Sequence, residues 1–211
     1  MNIFWFRRDL RLDDNVGLFH ALNANEEVLP IFIFDDSILS QLPKDDARVT
    51  FIHNQLEKIQ KQLQVIGKSL AVFYGKPFDV YQKLISENTI KSVYTNHDYE
   101  PYARKRDLDL YHLFKENNIE FKTSKDQVIF EKSEVVKDDG TPYVVYTPYS
   151  NKWKENFKKI QLINYNSEDY LSKIALHSYS FLSLSDIGFE NSSIKVTPFD
   201  VSTNLIDNYE A

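Results

Sequence analysis

Apolar positions in this chain keep two alternating rhythms. Ile3 to Phe6 and Val28 to Phe34 are short, nearly continuous apolar runs, the pattern of strands buried on both faces. Between them Asp13, Asp14 and Asn15 offer N-cap chemistry to a helix carrying Leu18, Phe19 and Leu22. Val49, Ile52, Leu56, Ile59, Leu63 and Ile66 recur at spacings of three and four, one face of a long helix with Gly67 as its C-cap. Leu70 to Tyr74 predicts a third strand, and Gly75, Lys76 and Pro77 break the chain before a helix with Val80, Tyr81, Leu84 and Ile85. Ser92 to Thr95 predicts a fourth, followed by a turn at Asn96 to Glu100 and Pro101 in the first position of a helix running to about Asn117. Ile119 to Lys122 predicts a fifth. Five strands alternating with helices imply right-handed crossovers and a doubly wound parallel sheet, an α/β fold.

That rhythm then stops. Gln127 to Phe130 and Tyr143 to Tyr146 read as extended pieces around the turn at Asp138, Asp139 and Gly140, and Tyr149 to Lys159 as a short helix. From about Gln161 the chain is rich in Ser and Asn, with isolated apolar anchors at Leu171, Ile174, Phe181, Leu182 and Phe189. The expected organisation is an α/β domain over 1–130, a connecting segment over 131–160 and an ordered linker over 161–211 lying on a surface. Such a tail cannot build a second domain.

Composition narrows the function classes. With 211 residues, 42% hydrophobic and 14% aromatic, the chain can bury one sizeable core. A formal net charge of -6 argues against an independent nucleic-acid binder, since neutralising phosphates needs a net basic face. The lack of cysteine excludes a disulfide scaffold and any thiolate metal site. With no apolar run near the ~20 residues a bilayer span requires, and no signal-peptide pattern, a cytoplasmic protein without membrane contact is expected.

Ligands of a doubly wound sheet bind outside the carboxyl ends of its strands, where strand order reverses. If the first strand is central, its neighbours are the second and fourth, and these ends carry Arg7 and Arg8, then Phe34 and Asp35, then Asn96, His97, Asp98, Tyr99 and Glu100. Guanidinium forks, an aromatic surface and carboxylates suit a flat, heteroaromatic, partly charged ligand. The bland alternative is a solvated loop in which Arg7, Arg8 and Arg11 pair with Asp9, Asp13 and Asp14. Competing motifs are missing: no GxGxxG, no GxxxxGK[ST] and no GxSxG. The five histidines, His20, His53, His97, His112 and His177, lack metal-ligand spacing, and only His97 falls in the expected crevice. No catalytic residue and no metal site can be assembled.

Four blocks also carry a family resemblance. WFRRDLRLDDN at Trp5 to Asn15, LPIFIFDDSIL at Leu29 to Leu39, NHDYEPYARKRD at Asn96 to Asp107 and GTPYVVYTPYSNKW at Gly140 to Trp153 resemble, in order, the amino-terminal half of the DNA photolyase/cryptochrome flavoproteins. The resemblance implies a Rossmann-like antenna domain with an extended carboxyl-terminal linker. It also implies an activity for the longer protein, light-driven repair of pyrimidine dimers by electron transfer from reduced FAD. The FAD and the damaged DNA would belong to a helical carboxyl-terminal domain, this domain's own partner, which the sequence does not include. A cryptochrome photoreceptor, or a stand-alone nucleotide- or flavin-binding module without catalysis, are the alternatives. Carried over residue by residue, the antenna chromophore would meet Arg8, Phe34, Asp35, Arg48, Asp98 and Glu100. A deazaflavin or flavin is favoured over a folate, because Ala103 stands where some folate-binding relatives have an acid. Asp9, Asp98 and Glu100 could instead chiefly hold Arg7, Arg8 and Arg104 in place.

Overall fold

The computed structural model describes residues 1–194. Five parallel strands form one sheet: β1 (Asn2–Phe6), β2 (Val28–Asp35), β3 (Ala71–Gly75), β4 (Ser92–Asn96) and β5 (Glu120–Ser124), in the order β3-β2-β1-β4-β5. The helices are α1 (Val16–Asn23), α2 (Asp36–Leu39), α3 (Ala47–Val65), α4 (Pro77–Glu87), α5 (Pro101–Glu116) and α6 (Tyr146–Phe157). The expected doubly wound sheet is thus the observed one, with β1 central.

Side chains of β1 alternate between the two layers. Phe4 and Phe6 pack with Leu18 and Leu22 of α1 and Leu56 and Ile59 of α3. Ile3 and Trp5 pack with Tyr81 and Leu84 of α4 and Leu110 and Phe114 of α5. Every residue of β1, β2 and β4 is buried. Each large apolar side chain removed from water contributes ~1.5–3 kcal/mol, and covering both faces is what makes these strands read as unbroken apolar runs. The edge strand β5 has only β4 as partner and keeps its side chains partly or fully exposed.

Two expected helix ends are seen in detail. Asn15 caps α1 through its side chain, which accepts from the Leu18 amide. After α3, Gly67 adopts φ 71°, its amide donating to Gln64 O and the Lys68 amide to Leu63 O, the left-handed cap that only glycine adopts at no steric cost.

Two expectations are corrected. Gln127 to Phe130 and Tyr143 to Tyr146 join no ladder; the first is irregular, and Tyr146 already opens α6. The intervening turn closes through the Lys137 amide on Thr141 O, so neither arm is offered to a sheet edge. The short α2 was also not anticipated.

The tail lies on the domain with its anchors seated. Ile174 is fully buried and bridges in parallel to Val28, and Phe189 enters the same apolar layer, where Leu171, Phe181 and Leu182 pack against it. His53 of α3 bonds Leu182 O at 3.0 Å through Nε2, and His177 contacts Ser69 O at 3.1 Å. Residues 195–211 of the expected linker lie outside the described residues.

Candidate functional site

The chain passes from β3 at one edge to β4 beside β1, so strand order reverses between β1 and β4. The turn leaving β1 is shaped by Asp9, which is buried and accepts from the Arg7 amide at 2.9 Å, Asn15 Nδ2 at 3.1 Å and Asn96 Nδ2 at 2.6 Å. Asp9 therefore holds backbone and amides. It does not pair with a neighbouring guanidinium.

The three arginines find acids far along the chain. Arg7 lies against the Trp5 ring, 4.2 Å from its centroid, and donates two 2.8 Å bonds to Asp107. Burial pulls the Arg7 guanidinium below its ordinary value and neighbouring Arg106 adds to this, while Asp107 opposes both. Arg106 also lies over Trp5, at 4.8 Å, and contacts Asp107 at 3.2 Å. Arg11 pairs with Asp126 at 2.8 and 3.0 Å. The local pairing with Asp9, Asp13 and Asp14 is thus replaced by contacts across the sheet, apart from a bond from Arg11 to Asp14 O.

Of the six expected chromophore contacts, three meet at the switch point. Arg8, with 51% of its side chain exposed, hydrogen-bonds Glu100, itself 62% exposed, and has Nε 3.7 Å from Asp98. The bond it donates to Glu100 raises the Arg8 guanidinium above its ordinary value. Asp98 also faces Arg106 at 3.8 Å.

The remaining three are differently placed. Phe34 is 2% exposed, its ring stacked toward His53 and edge-on to Phe32, so the expected aromatic surface for a ligand is core packing instead. The even alternation of β2 turns residue 34 toward α3. Asp35 is buried at the end of β2, where it caps α2 through the Ser37 amide and accepts the Tyr102 hydroxyl at 2.6 Å. Arg48 is 72% exposed and folds back on Asp46 at 2.7 Å, which lowers the Asp46 carboxyl to about 2. His97 also leaves the crevice: Nδ1 lies 2.7 Å from Glu131 and Nε2 2.9 Å from Thr123.

Tyr102, Arg106 and Asp107 also stand beside this cluster, where the sequence had not pointed to them. Tyr102 and Arg106 stand four apart on α5, one helical face, a spacing legible in the NHDYEPYARKRD block. The sequence had not pointed to Asp126 either, for which no local signal exists.

The first-turn amides of α1 are already hydrogen-bonded. Dinucleotide domains seat a phosphate on the free amides of this first turn. Here Val16 N donates to Asp126 at 3.1 Å, Gly17 N to Asn96 at 2.9 Å and Leu18 N to Asn15 at 3.1 Å. A built-in carboxylate, 1% exposed, stands where that phosphate would go. Among the described residues no group of three His, Cys, Asp or Glu side chains is arranged to hold a metal ion, and no helix is long and apolar enough to cross a membrane.

Fold and crevice together define a doubly wound α/β domain with a crevice at the β1/β4 switch point, the amides that seat a phosphate in dinucleotide domains being already taken. The family model for DNA photolyase matches residues 2–166, and the chain belongs to that family. A deoxyribodipyrimidine photo-lyase from Synechococcus is 29% identical over 194 residues, which cover 89% of this chain and 40% of that protein. A bacterial class III photolyase from Agrobacterium tumefaciens superposes with a TM-score of 0.75 at 25% identity, covering 90% of this chain and 38% of the other. The archaeal photolyase from Sulfolobus tokodaii, solved with two FAD molecules and implying a novel light-harvesting cofactor, superposes at 0.64 with 29% identity, covering 86% and 43%. The chain spans about 40% of the length of these relatives.

Proposed function

We propose that this chain is the amino-terminal light-gathering domain of a deoxyribodipyrimidine photolyase, binding an antenna chromophore in the β1/β4 crevice. The observation that carries the reading is the outward-facing Arg8, held between Asp98 and Glu100 at the switch point of a domain whose family match runs over residues 2–166. The donor set fits a flavin or deazaflavin. Arg8 offers a planar fork to ring carbonyls or acidic substituents, and Asp98 and Glu100 accept from ring N–H groups. Arg7 Nε is buried and without a hydrogen-bond partner among the described residues.

In this reading Arg8, Asp98 and Glu100 make the contacts, Tyr102 stays on Asp35 at the rim, and Arg7 and Arg106 hold the floor through Trp5 and Asp107. Arg48 contributes after releasing Asp46, and Phe34 contributes as packing beneath the site. The bound chromophore supplies absorption and energy transfer; the chain's own residues bind and orient it. Electron transfer to the lesion, FAD binding and the DNA contact are assigned to a helical domain of the longer protein, joined through residues 161–211, and the site of action is the cytoplasm.

A repair assay under blue light tests the division of labour. The 211-residue chain is expected to repair no thymine dimers, while the longer protein repairs them with an action spectrum that extends beyond the absorption of reduced FAD alone. Repair by the isolated chain, or an action spectrum following FAD alone, would remove the antenna reading.

A further inference from the structure

A second hollow lies beyond the crevice, between α4 and α5 on the Trp5 side of the sheet. Its cavity is about 720 Å³, within the few hundred to ~1,000 Å³ typical of small-molecule sites. Leu110 and Pro77, both buried, form the floor. The rings of Phe78 and Tyr102 stand in the lining with 39% and 41% of their surfaces exposed.

Its charge contrasts with that of the whole molecule. Lys76, Lys105 and Arg106 line the hollow against one carboxylate, Asp109, in a chain of net charge -6. Arg106 is already committed to Asp107 and the Trp5 face. Lys76 and Lys105 have no carboxylate within ion-pair distance among the described residues, although acids outnumber bases along the chain. The first turn of α4 also lacks a side-chain cap. Two uncompensated ammonium groups beside the exposed Phe78 ring and the Tyr102 ring, which Asp35 anchors and Arg106 overlies at 5.9 Å, are a complementary surface for a ring bearing a dianion.

We propose that this α4–α5 cleft is a second binding site, separate from the chromophore crevice, for a small aromatic ligand carrying a phosphate group, of the nucleoside monophosphate class. The ring stacks on Phe78 and Tyr102, and the phosphate bridges Lys76 and Lys105. This assignment rests on the cleft alone and stands whether or not the crevice holds an antenna.

Amide NMR of the 211-residue chain titrated separately with AMP, adenosine and inorganic phosphate tests it. AMP should saturate, shifting the Phe78, Asp79 and Lys105 amides, with adenosine and phosphate each about tenfold weaker or more. A Lys76→Ala/Lys105→Ala double variant, altered only at exposed side chains, should lose about tenfold in AMP affinity with the rest of its spectrum unchanged, and Phe78→Ala should lose affinity for AMP and adenosine alike. Arg8→Ala should leave AMP binding unaltered. The proposal is overturned if AMP binds no better than adenosine, if the lysine variant binds as wild type, or if the shifts gather around Arg8 and vanish in Arg8→Ala. That last outcome would move the nucleotide into the crevice and leave the crevice reading intact.

Discussion

In the β1/β4 crevice each arginine of the β1 turn meets an acid: Arg7 meets Asp107, Arg8 meets Asp98 and Glu100, and Arg11 meets Asp126. In the α4–α5 cleft, which shares Tyr102 and Arg106 with the crevice rim, Lys76 and Lys105 stand without such partners. The helix starts differ in the same sense: the α1 amides are filled by Asp126, Asn96 and Asn15, whereas α4 has no side-chain cap. Pairing at the crevice keeps the guanidinium planes fixed before a ligand arrives, so little ordering is left to be done on binding. The cleft leaves its two lysines exposed and unpaired among the described residues, suited to a ligand that brings its own charge.

The largest effect should come from breaking the crevice floor. Asp107→Ala strands the buried Arg7 guanidinium and should cost about 3 kcal/mol in a urea titration, the scale for removing one partner of a buried pair. A loss below about 1 kcal/mol would show that the floor is no clamp. Next comes Gly17→Ala, since a Cβ there would lie 2.6 Å from Asn96 Oδ1 and 2.9 Å from the Phe4 ring. Relieving that overlap breaks the Asn96 network or shifts α1, and about 2 kcal/mol of destabilisation is expected from thermal or chemical unfolding. An unchanged midpoint would show that α1 stands off the sheet.

Beyond the crevice, the Glu131 carboxyl feels burial, which raises it, but the hydrogen bonds from Tyr99 and His97 outweigh this and hold it below its ordinary 4.5. A carboxyl lowered by folding stabilises above its unfolded value and loses that contribution as pH falls through the folded one. Stability from this cluster should therefore be intact near neutrality and decline below about pH 4.5, a decline that Glu131→Gln removes. An identical acid limb in wild type and variant would dismiss the cluster. Smallest of all, Arg8→Ala should change stability by less than about 0.5 kcal/mol, because both partners of the Arg8–Glu100 pair are more than half exposed. Under the proposed function its larger effect should fall on binding.

The sheet was legible wherever burial covered both faces. Asn2–Phe6 and Val28–Asp35 stand out as apolar runs because α1 and α3 cover one side and α4 and α5 the other. At the edge the signal weakens: the buried Ile119 drew the fifth strand one residue early, while the ladder runs over the polar Glu120–Ser124. The crevice was legible in its position, because the switch point follows from element order, and partly in the side chains that meet there. Arg8, Asp98 and Glu100 do converge. Phe34 was misjudged because strand parity, which turns it into the α3 layer, depends on where the core lies. The partners of Arg7 and Arg11 were out of reach, lying 100 and 115 residues away along the chain. Local acids such as Asp9 and Asp13 were nearer in sequence, but Asp9 is consumed by the amides of its own turn.

Chromophore binding at the Arg8 crevice can be measured directly. Titrating the 211-residue chain with FMN, followed by flavin fluorescence, should give saturable quenching, with affinity falling about tenfold or more in Arg8→Ala at an unchanged unfolding midpoint. Equal FMN affinity in wild type and Arg8→Ala would contradict binding at the crevice.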